Sequence, residues 1–243
     1  MSLERMFNLM AEKQASDLFF SVGSPITIKI NGVCVPINQD RLAPQAIVSL
    51  LAERLTDAHF RELEDSRELN IGLPVQGIGS FRLSAFLQRG SISAVIRFIP
   101  HDVPKLDALH LPEVLKDLIM ERRGMILVVG AAGSGKSTTI ASMLDHRNEL
   151  STGHVLTFED PIEYLFRNKK SIINQREIGS DARTLQAALR SAMRQAPDVI
   201  FIGEIRDRDT MSAAIAYSMS GHLVVATLHA TNSSHALNRV ISF

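Results

Sequence analysis

Apolar and polar positions change their spacing several times along the N-terminal part of the chain. The chain begins with apolar residues every three or four positions, which predicts an amphipathic helix: Leu3, Met6, Phe7 and Met10. Three short runs follow at 17–22, 26–30 and 33–37, and Asn31-Gly32 between the last two is typical of a hairpin turn. The pattern therefore predicts one helix followed by short strands, two of them in a hairpin.

Helical spacing returns after Pro44, where apolar residues again recur at three and four positions, and a second helix is expected to follow Thr56-Asp57. Beyond Gly77 and Gly79 the chain alternates strictly as SFRLSAFL and then as SISAVIRF. Such alternation is typical of half-buried antiparallel strands. Residues 1–99 are therefore expected to form a small α+β domain.

Three prolines then break regular structure within a few residues of each other: Pro100, Pro104 and Pro112. This stretch predicts a linker at 100–112, followed by a second domain at 113–243. In the second domain, continuously apolar strands alternate with helical patterns at about 136–146, 181–194 and 207–219; the strands read MILVV, HVLTF, SIIN, DVIFIG and HLVVATL. This order predicts an α/β fold with a parallel sheet covered on both faces.

Composition narrows the function classes. The 243 residues carry 26 Lys plus Arg against 26 Asp plus Glu, so no overall positive charge exists to hold nucleic acid or an anionic membrane nonspecifically, and no nucleic acid partner is expected. The longest apolar run, 125–132, is too short to cross a bilayer, and we expect a cytoplasmic protein without membrane insertion. The single cysteine, Cys34, excludes an internal disulfide and a four-cysteine zinc site and is expected to be a small buried residue.

The strongest chemical motif is GAAGSGKS at 130–137, which matches the phosphate-binding pattern GxxxxGK[ST] between an apolar strand and a helix. Its loop N–H groups and the helix N-terminus favour an anion. Lys136 is expected to reach the β- and γ-phosphates of a nucleotide, and the Ser137 hydroxyl to ligate Mg²⁺. The remaining loop residues are nucleotide-binding candidates: Gly130, Ala132, Gly133, Ser134 and Gly135.

Carboxylates follow two further apolar strands. Glu204 ends the strand DVIFIG, where an acid can hold the water shell of Mg²⁺, although this position is usually Asp. The segment TFEDPIE supplies Glu159, Asp160 and Glu163, any of which could orient or deprotonate an attacking water. Their chemistry alone does not choose among the three.

Two histidines bracket the strand 223–228. His222 and His229 are seven residues apart and cannot share a strand face, so joint metal ligation is not expected. His229 lies at the carboxyl end of its strand, where ligands bind in parallel sheets, and is a candidate γ-phosphate sensor. For His222, a structural and a functional interpretation remain equally open.

Arg82 and Arg97 lie on the two alternating strands of the first domain. Arginine on the solvated face of a sheet is ordinary. Nucleotide hydrolysis, however, needs positive charge at the γ-phosphate, and that charge is often delivered from another chain.

These residues resemble the type IV pilus retraction ATPases of the secretion ATPase superfamily, the PilT/PilU family. The resemblance rests on four boxes in the family's order: GAAGSGKST, FEDPIEY, RQAPDVIFIGEIRD and GHLVVATLHATNS. ASDLFF, FRLSAF and VIRFIP extend it through the first domain, and HRNELSTGH with MRQAPDVI brings it closer to the PilU branch.

The resemblance implies a RecA-like P-loop ATPase core preceded by a smaller PAS-like domain. It implies ATP and Mg²⁺ as ligands and adds Thr138 and His222 to the nucleotide-binding residues. It selects Glu163 as the catalytic glutamate beside Glu204 and His229, and assigns Arg82 and Arg97 to a neighbouring subunit's nucleotide. It further implies a hexameric ring that drives pilus disassembly in twitching motility, held peripherally at the inner membrane by a platform protein and working with a paralogous retraction ATPase. The family's helical C-terminal region does not follow within the sequence, which ends at Phe243.

Two alternatives stay open. A type II secretion or pilus extension ATPase is the nearest related class, but such proteins typically carry a four-cysteine zinc site, which a single cysteine cannot form. A module that binds ATP without hydrolysing it, and only contributes interfaces to a paralogous motor, is the second.

Overall fold

The computed structural model describes residues 2–99, 103–131 and 133–243. The chain divides into two compact units, Met1–His101 and Asp102–Phe243. The first unit contains helices α1 to α3 and strands β1 to β6: α1 Leu3–Lys13, β1 Asp17–Phe20, β2 Thr27–Ile30, β3 Val33–Pro36, α2 Pro44–Leu51, α3 Asp57–Ser66, β4 Glu68–Val75, β5 Gly79–Gln88 and β6 Ser91–Ile99.

The first unit is an antiparallel six-stranded sheet in the order β3-β2-β1-β6-β5-β4. Its helices bury their apolar stripes against one face, as the α1 residues Leu3, Met6, Phe7 and Met10 illustrate, each at most 1% exposed. Asn31 and Gly32 both have positive φ (48° and 82°), the conformation that a two-residue hairpin turn requires between β2 and β3. The α+β class predicted for this part of the chain is confirmed.

Strand β4 was not visible in the sequence pattern, because Gly72 and Pro74 interrupt it. The structure places β4 at an edge of the sheet. An edge strand tolerates proline, because the backbone position that lacks an N–H can face away from the neighbouring strand. The expectation that Cys34 is buried is wrong. Cys34 is exposed, because β3 is the opposite edge strand of the sheet and all four residues of β3 are exposed.

The second unit begins with a short 3₁₀ helix, Leu106–Leu109, followed by these elements: α4 Val114–Met120, β7 Gly124–Val129, α5 Lys136–Leu150, β8 Gly153–Glu159, β9 Ser171–Glu177, α6 Leu185–Ala192, β10 Val199–Ile202, α7 Arg208–Met219, β11 Leu223–Leu228 and α8 Ser233–Ser242. Leu106 lies within the stretch expected as a linker, yet it is buried in the core of this unit. Pro100, His101 and Asp102, also in that stretch, lie outside the described residues.

The five strands of the second unit are all parallel, in the order β7-β11-β10-β8-β9. Alternate residues of one strand enter different cores: Ile200 and Ile202 face the α6 and α7 side, whereas Val199 and Phe201 face the α5 side. The predicted parallel sheet with two covered faces is confirmed. Parallel order also brings all the carboxyl ends of the strands to one edge, which positions the candidate site.

Candidate functional site

The phosphate-binding loop connects β7 to α5 at this edge. Gly133 and Gly135 have φ values of 74° and 90°, which favour glycine because a Cβ is strained there. At Gly130 an added Cβ would lie 2.5 Å from the Ser134 hydroxyl oxygen, so the Ser134 side chain would have to turn away. Ala132, the remaining loop candidate, lies outside the described residues.

Lys136 folds back over this loop. Its Nζ donates to the carbonyl oxygens of Gly130 at 3.0 Å and of Ala131 at 2.8 Å. The helix α5 begins at Lys136, and no side chain caps the free N–H groups of its first turn. An ammonium group and uncapped helix N–H groups side by side fit a phosphate group.

A cavity of about 630 Å³ opens beside the loop. It collects many of the candidates, which come from the loop after β7 and from the ends of the three strands β8, β10 and β11: Gly133, Gly135, Lys136, Ser137, Thr138, Glu163, Glu204 and His229. The fold therefore brings together residues up to 96 positions apart, as the parallel order of the strands predicts.

Glu204 follows β10 and has partners on both carboxylate oxygens. Oε1 lies 3.0 Å from His229 Nε2, at the end of the neighbouring strand β11. Oε2 accepts from Arg206 Nε at 2.8 Å, and the same guanidinium lies 3.5 Å from Asp160. Arg206 thus joins two acidic segments of the cavity, and the sequence analysis did not single it out, although it stands two residues after the strand-end acid.

The structure separates the three acids of TFEDPIE, of which Glu159 ends β8 and the other two follow it. Glu159 is buried, while Asp160 and Glu163 are exposed. Burial raises the pKa of Glu159 to about 7, although hydrogen bonds from Thr157, Gln175 and the Glu163 backbone oppose the rise. Two neighbours missed by the sequence analysis hold this carboxylate: the Thr157 hydroxyl donates to Oε1 at 2.6 Å and the Gln175 amide at 3.1 Å.

The structure does not bring His222 to this cavity. It precedes β11, whereas His229 follows that strand, and six extended residues span about 20 Å. His222 Nδ1 lies 3.1 Å from the Ser220 hydroxyl and 3.3 Å from the Tyr217 carbonyl oxygen, at the end of α7. In this chain it contacts the turn between α7 and β11.

Arg82 and Arg97 belong to the first unit and are direct cross-strand partners on β5 and β6. Directly paired side chains lie on the same face of a sheet, so the two arginines share one face. Arg97 also pairs with Asp17 of β1, and its Nε donates to Asp17 Oδ1 at 3.0 Å. The Arg97 side chain remains 63% exposed.

The side-chain oxygens of Ser137 and Glu204 suit Mg²⁺ only together with phosphate oxygens. Among the described residues, no group of three or more His, Cys, Asp or Glu side chains is arranged to hold a metal ion. Mg²⁺ is commonly bound by one or two protein oxygens together with substrate phosphates and water, which is the set that Ser137 and Glu204 would complete. No helix in the described part of the chain is long and apolar enough to cross a membrane.

Comparisons with known proteins match the whole chain. The chain is 43% identical over 243 residues to the type IV pilus ATPase PilU of Pseudomonas aeruginosa, covering all of this chain and 64% of that protein. It is 38% identical over 241 residues to the retraction ATPase PilT of the same organism, covering 99% of this chain and 70% of that one. The higher identity to PilU agrees with the branch that the sequence motifs indicated.

A crystal structure of the pilus retraction motor PilT with bound ADP superimposes with a TM-score of 0.93 at 38% identity, covering all of this chain and 71% of that one. The two-domain fold implied by the resemblance is thereby confirmed. The family described as type II/IV secretion system protein matches residues 2–243. The chain, which spans about two thirds of the length of these relatives, therefore belongs to the type II/IV secretion system protein family.

Proposed function

We propose that this protein is a Mg²⁺-dependent ATPase of a type IV pilus and acts in pilus retraction, the process that drives twitching motility. The observation that carries the proposal is that one cavity joins the phosphate-binding loop to Glu163, Glu204 and His229. The relatives PilU and PilT, both type IV pilus ATPases, support the assignment to pili.

In this proposal the loop and α5 bind the phosphates of ATP. The uncapped N–H groups at the start of α5 bind the anion, and Lys136 exchanges its two loop carbonyl acceptors for phosphate oxygens. Ser137 and Glu204 would hold Mg²⁺, which supplies positive charge against the phosphates when it is bound.

Glu163 is the proposed general base. It is an exposed carboxylate at the cavity, so it can accept a proton from a water molecule directed at the γ-phosphate. His229 and Arg206 keep Glu204 in place from opposite sides, because each engages a different oxygen of its carboxylate. Arg82 and Arg97 are proposed to act on the nucleotide of a neighbouring copy in a hexameric ring. The ring would lie peripherally at the inner membrane, against a platform protein. It would require contacts between subunits that close each site.

Phosphate release tests the proposal. The purified chain, and a version extended to the length of PilU, are incubated with ATP and Mg²⁺, with the Lys136→Ala variant as the matched control. We expect Mg²⁺-dependent phosphate release from the unaltered protein and none above background from the control. Tight ATP binding without release in the extended protein would instead support the interface module that binds but does not hydrolyse ATP.

A further inference from the structure

Gln175 of β9 uses both polar atoms of its side-chain amide to bind the last residue of β8 and the loop that follows β8. Its Nε2 donates to Glu159 Oε1 at 3.1 Å and to the Tyr164 carbonyl oxygen at 2.8 Å. Its Oε1 accepts from the Phe166 backbone N–H at 2.9 Å. All three hydrogen bonds of the Gln175 side chain therefore go to the end of β8 and the loop that follows it.

That loop is also tied to the phosphate-binding helix. The Tyr164 hydroxyl lies 3.0 Å from the Thr138 hydroxyl, one residue after Ser137. Contacts therefore run from α5 through Tyr164 to Gln175, and from Gln175 to the buried Glu159. Glu163 lies in the middle of the segment that these contacts hold.

We propose that Gln175 is a positioning residue, which fixes Glu163 at the cavity by clamping the Glu159 carboxylate and the Tyr164–Phe166 backbone to β9. The role of Glu163 in this statement rests on the proposed function, whereas the clamp itself does not.

The electrostatics of Glu159 support the clamp. Burial raises the pKa of Glu159, and the Gln175 amide and the Glu163 backbone N–H oppose that rise by hydrogen bonding to the ionised form. The Glu163 carboxylate raises the pKa of Glu159 further by charge repulsion, and Glu177 is the register partner of Glu159 on β9. The other charged or titratable residues that line the same cavity are Lys136, Asp160, Tyr164, Arg183, Glu204, Arg206, Asp207 and His229. Removing the Gln175 donor leaves this carboxylate with less compensation for burial and weakens its hold on the backbone of Glu163.

The experiment uses three variants of Gln175 and one control. Gln175→Leu removes the amide at similar size, Gln175→Glu keeps an acceptor for Phe166 but replaces the donor by an oxygen, and Gln175→Asn keeps the amide on a shorter side chain. The control is Asn174→Leu, because Asn174 is adjacent on the same strand and its amide contacts His154 instead. Each protein is assayed for ATP affinity with a fluorescent ATP analogue, for the pH profile of phosphate release, and for the titration of Glu159 by carboxyl ¹³C NMR.

We expect Gln175→Leu and Gln175→Glu to retain ATP affinity and to lose turnover about 10- to 100-fold, because a displaced base loses alignment with its water. In Gln175→Leu the Glu159 titration should move up by about one pH unit, the equivalent of one lost hydrogen bond, and in Gln175→Glu by at least as much, because a second carboxyl then lies beside it. The acidic limb of the rate profile should stay in place, because it reports the base Glu163. Gln175→Asn should recover part of both effects, and Asn174→Leu should show neither.

Turnover in the Gln175→Leu and Gln175→Glu variants equal to that of Asn174→Leu would overturn the proposal. An unchanged Glu159 titration would overturn it as well, even if turnover fell. A fall in turnover alone can result from general structural damage, whereas a shifted titration shows that Gln175 holds the Glu159 carboxylate. If Gln175→Leu does not fold, Gln175→Glu decides by the same two measurements. If the unaltered protein hydrolyses no ATP, the proposed function fails, and the NMR titration alone decides whether Gln175 holds Glu159.

Discussion

His229 Nε2 lies 3.0 Å from Glu204 Oε1 and so connects the carboxyl ends of the neighbouring strands β11 and β10. The second oxygen of Glu204 is held by Arg206 at 2.8 Å. The strand-end acid is therefore oriented from two sides by side chains of its own chain. A preformed arrangement of this kind lowers the reorganisation that binding or catalysis would require.

Lys136 and Glu204 should affect different steps. We expect Lys136→Ala to lose ATP affinity, because the ammonium contacts phosphates before and during the reaction, and Glu204→Ala to retain affinity but lose turnover. Equilibrium binding of a fluorescent ATP analogue and phosphate release measure the two separately. Equal loss of ATP binding in both variants would contradict these roles.

Glu163 and Glu159 should differ in the type of effect. Replacement of the exposed Glu163 by Gln should slow hydrolysis by ~10² to 10⁴, the usual contribution of a general base. Glu159→Gln keeps a side chain of the same size at the buried position and should retain more activity. Near-normal hydrolysis by Glu163→Gln beside an inactive Glu159→Gln would reverse the assignment.

Glu159 should make the unfolding free energy depend on pH. Its pKa is about 7 in the folded chain, against an ordinary value of 4.5, so the folded state binds the additional proton between these values. The contribution of Glu159 to the free energy of unfolding is therefore greatest below about pH 4.5. It falls by about 3 kcal/mol as the pH rises through 7.

Urea unfolding at several pH values from 5 to 8 measures this effect. The unaltered protein should lose stability across the window relative to Glu159→Gln, which carries no titrating group at that position. Glu163→Gln removes an exposed carboxyl from the same loop and serves as the matched control. Parallel pH dependences of the unaltered protein and Glu159→Gln would disprove the expected linkage.

Arg97 should act between copies of the chain if it completes a neighbour's site. Lys136→Ala protein, inactive at its own loop, is mixed with Arg97→Ala protein, inactive only as a donor, using versions long enough to form rings. Because an arginine supplied in trans can contribute ~10³ or more to turnover, mixed interfaces should raise phosphate release above both parents. Activity that stays at the parental level while rings demonstrably exchange subunits would confine Arg97 to its own chain.

Gly203 should be required for packing between β10 and β8. An added Cβ would lie 3.2 Å from both the Glu159 Cα and the Phe158 carbonyl oxygen, and these are backbone atoms that cannot rotate away. We expect Gly203→Ala to cost about 1–3 kcal/mol of stability through overpacking. Gly72→Ala is the control, since nothing lies within 4 Å of its added Cβ, and equal calorimetric stability of the two variants would refute the argument.

The fold class followed from spacing alone where the spacing was uninterrupted. The continuously apolar strands β7, β8, β10 and β11 and the glycine-rich loop before α5 predicted a parallel sheet with a phosphate site at its carboxyl edge. Both signals are local, because a buried strand must be apolar on both faces and a tight anion-binding loop needs positive φ. Strand β4 escaped the same reasoning, since only its edge position makes Pro74 acceptable.

The candidate site divides along the same line. The sequence determined that Glu204 and His229 stand at strand ends and that Lys136 closes the phosphate-binding loop, because each follows directly from a strand or loop pattern. Only the tertiary structure decided that Glu159 is buried while Glu163 is exposed, and that Gln175 and Arg206 hold the acids in place. Burial and hydrogen bonding between β8, β9 and β10 arise from strand order, and three carboxylates within five residues carry no local signal that distinguishes them.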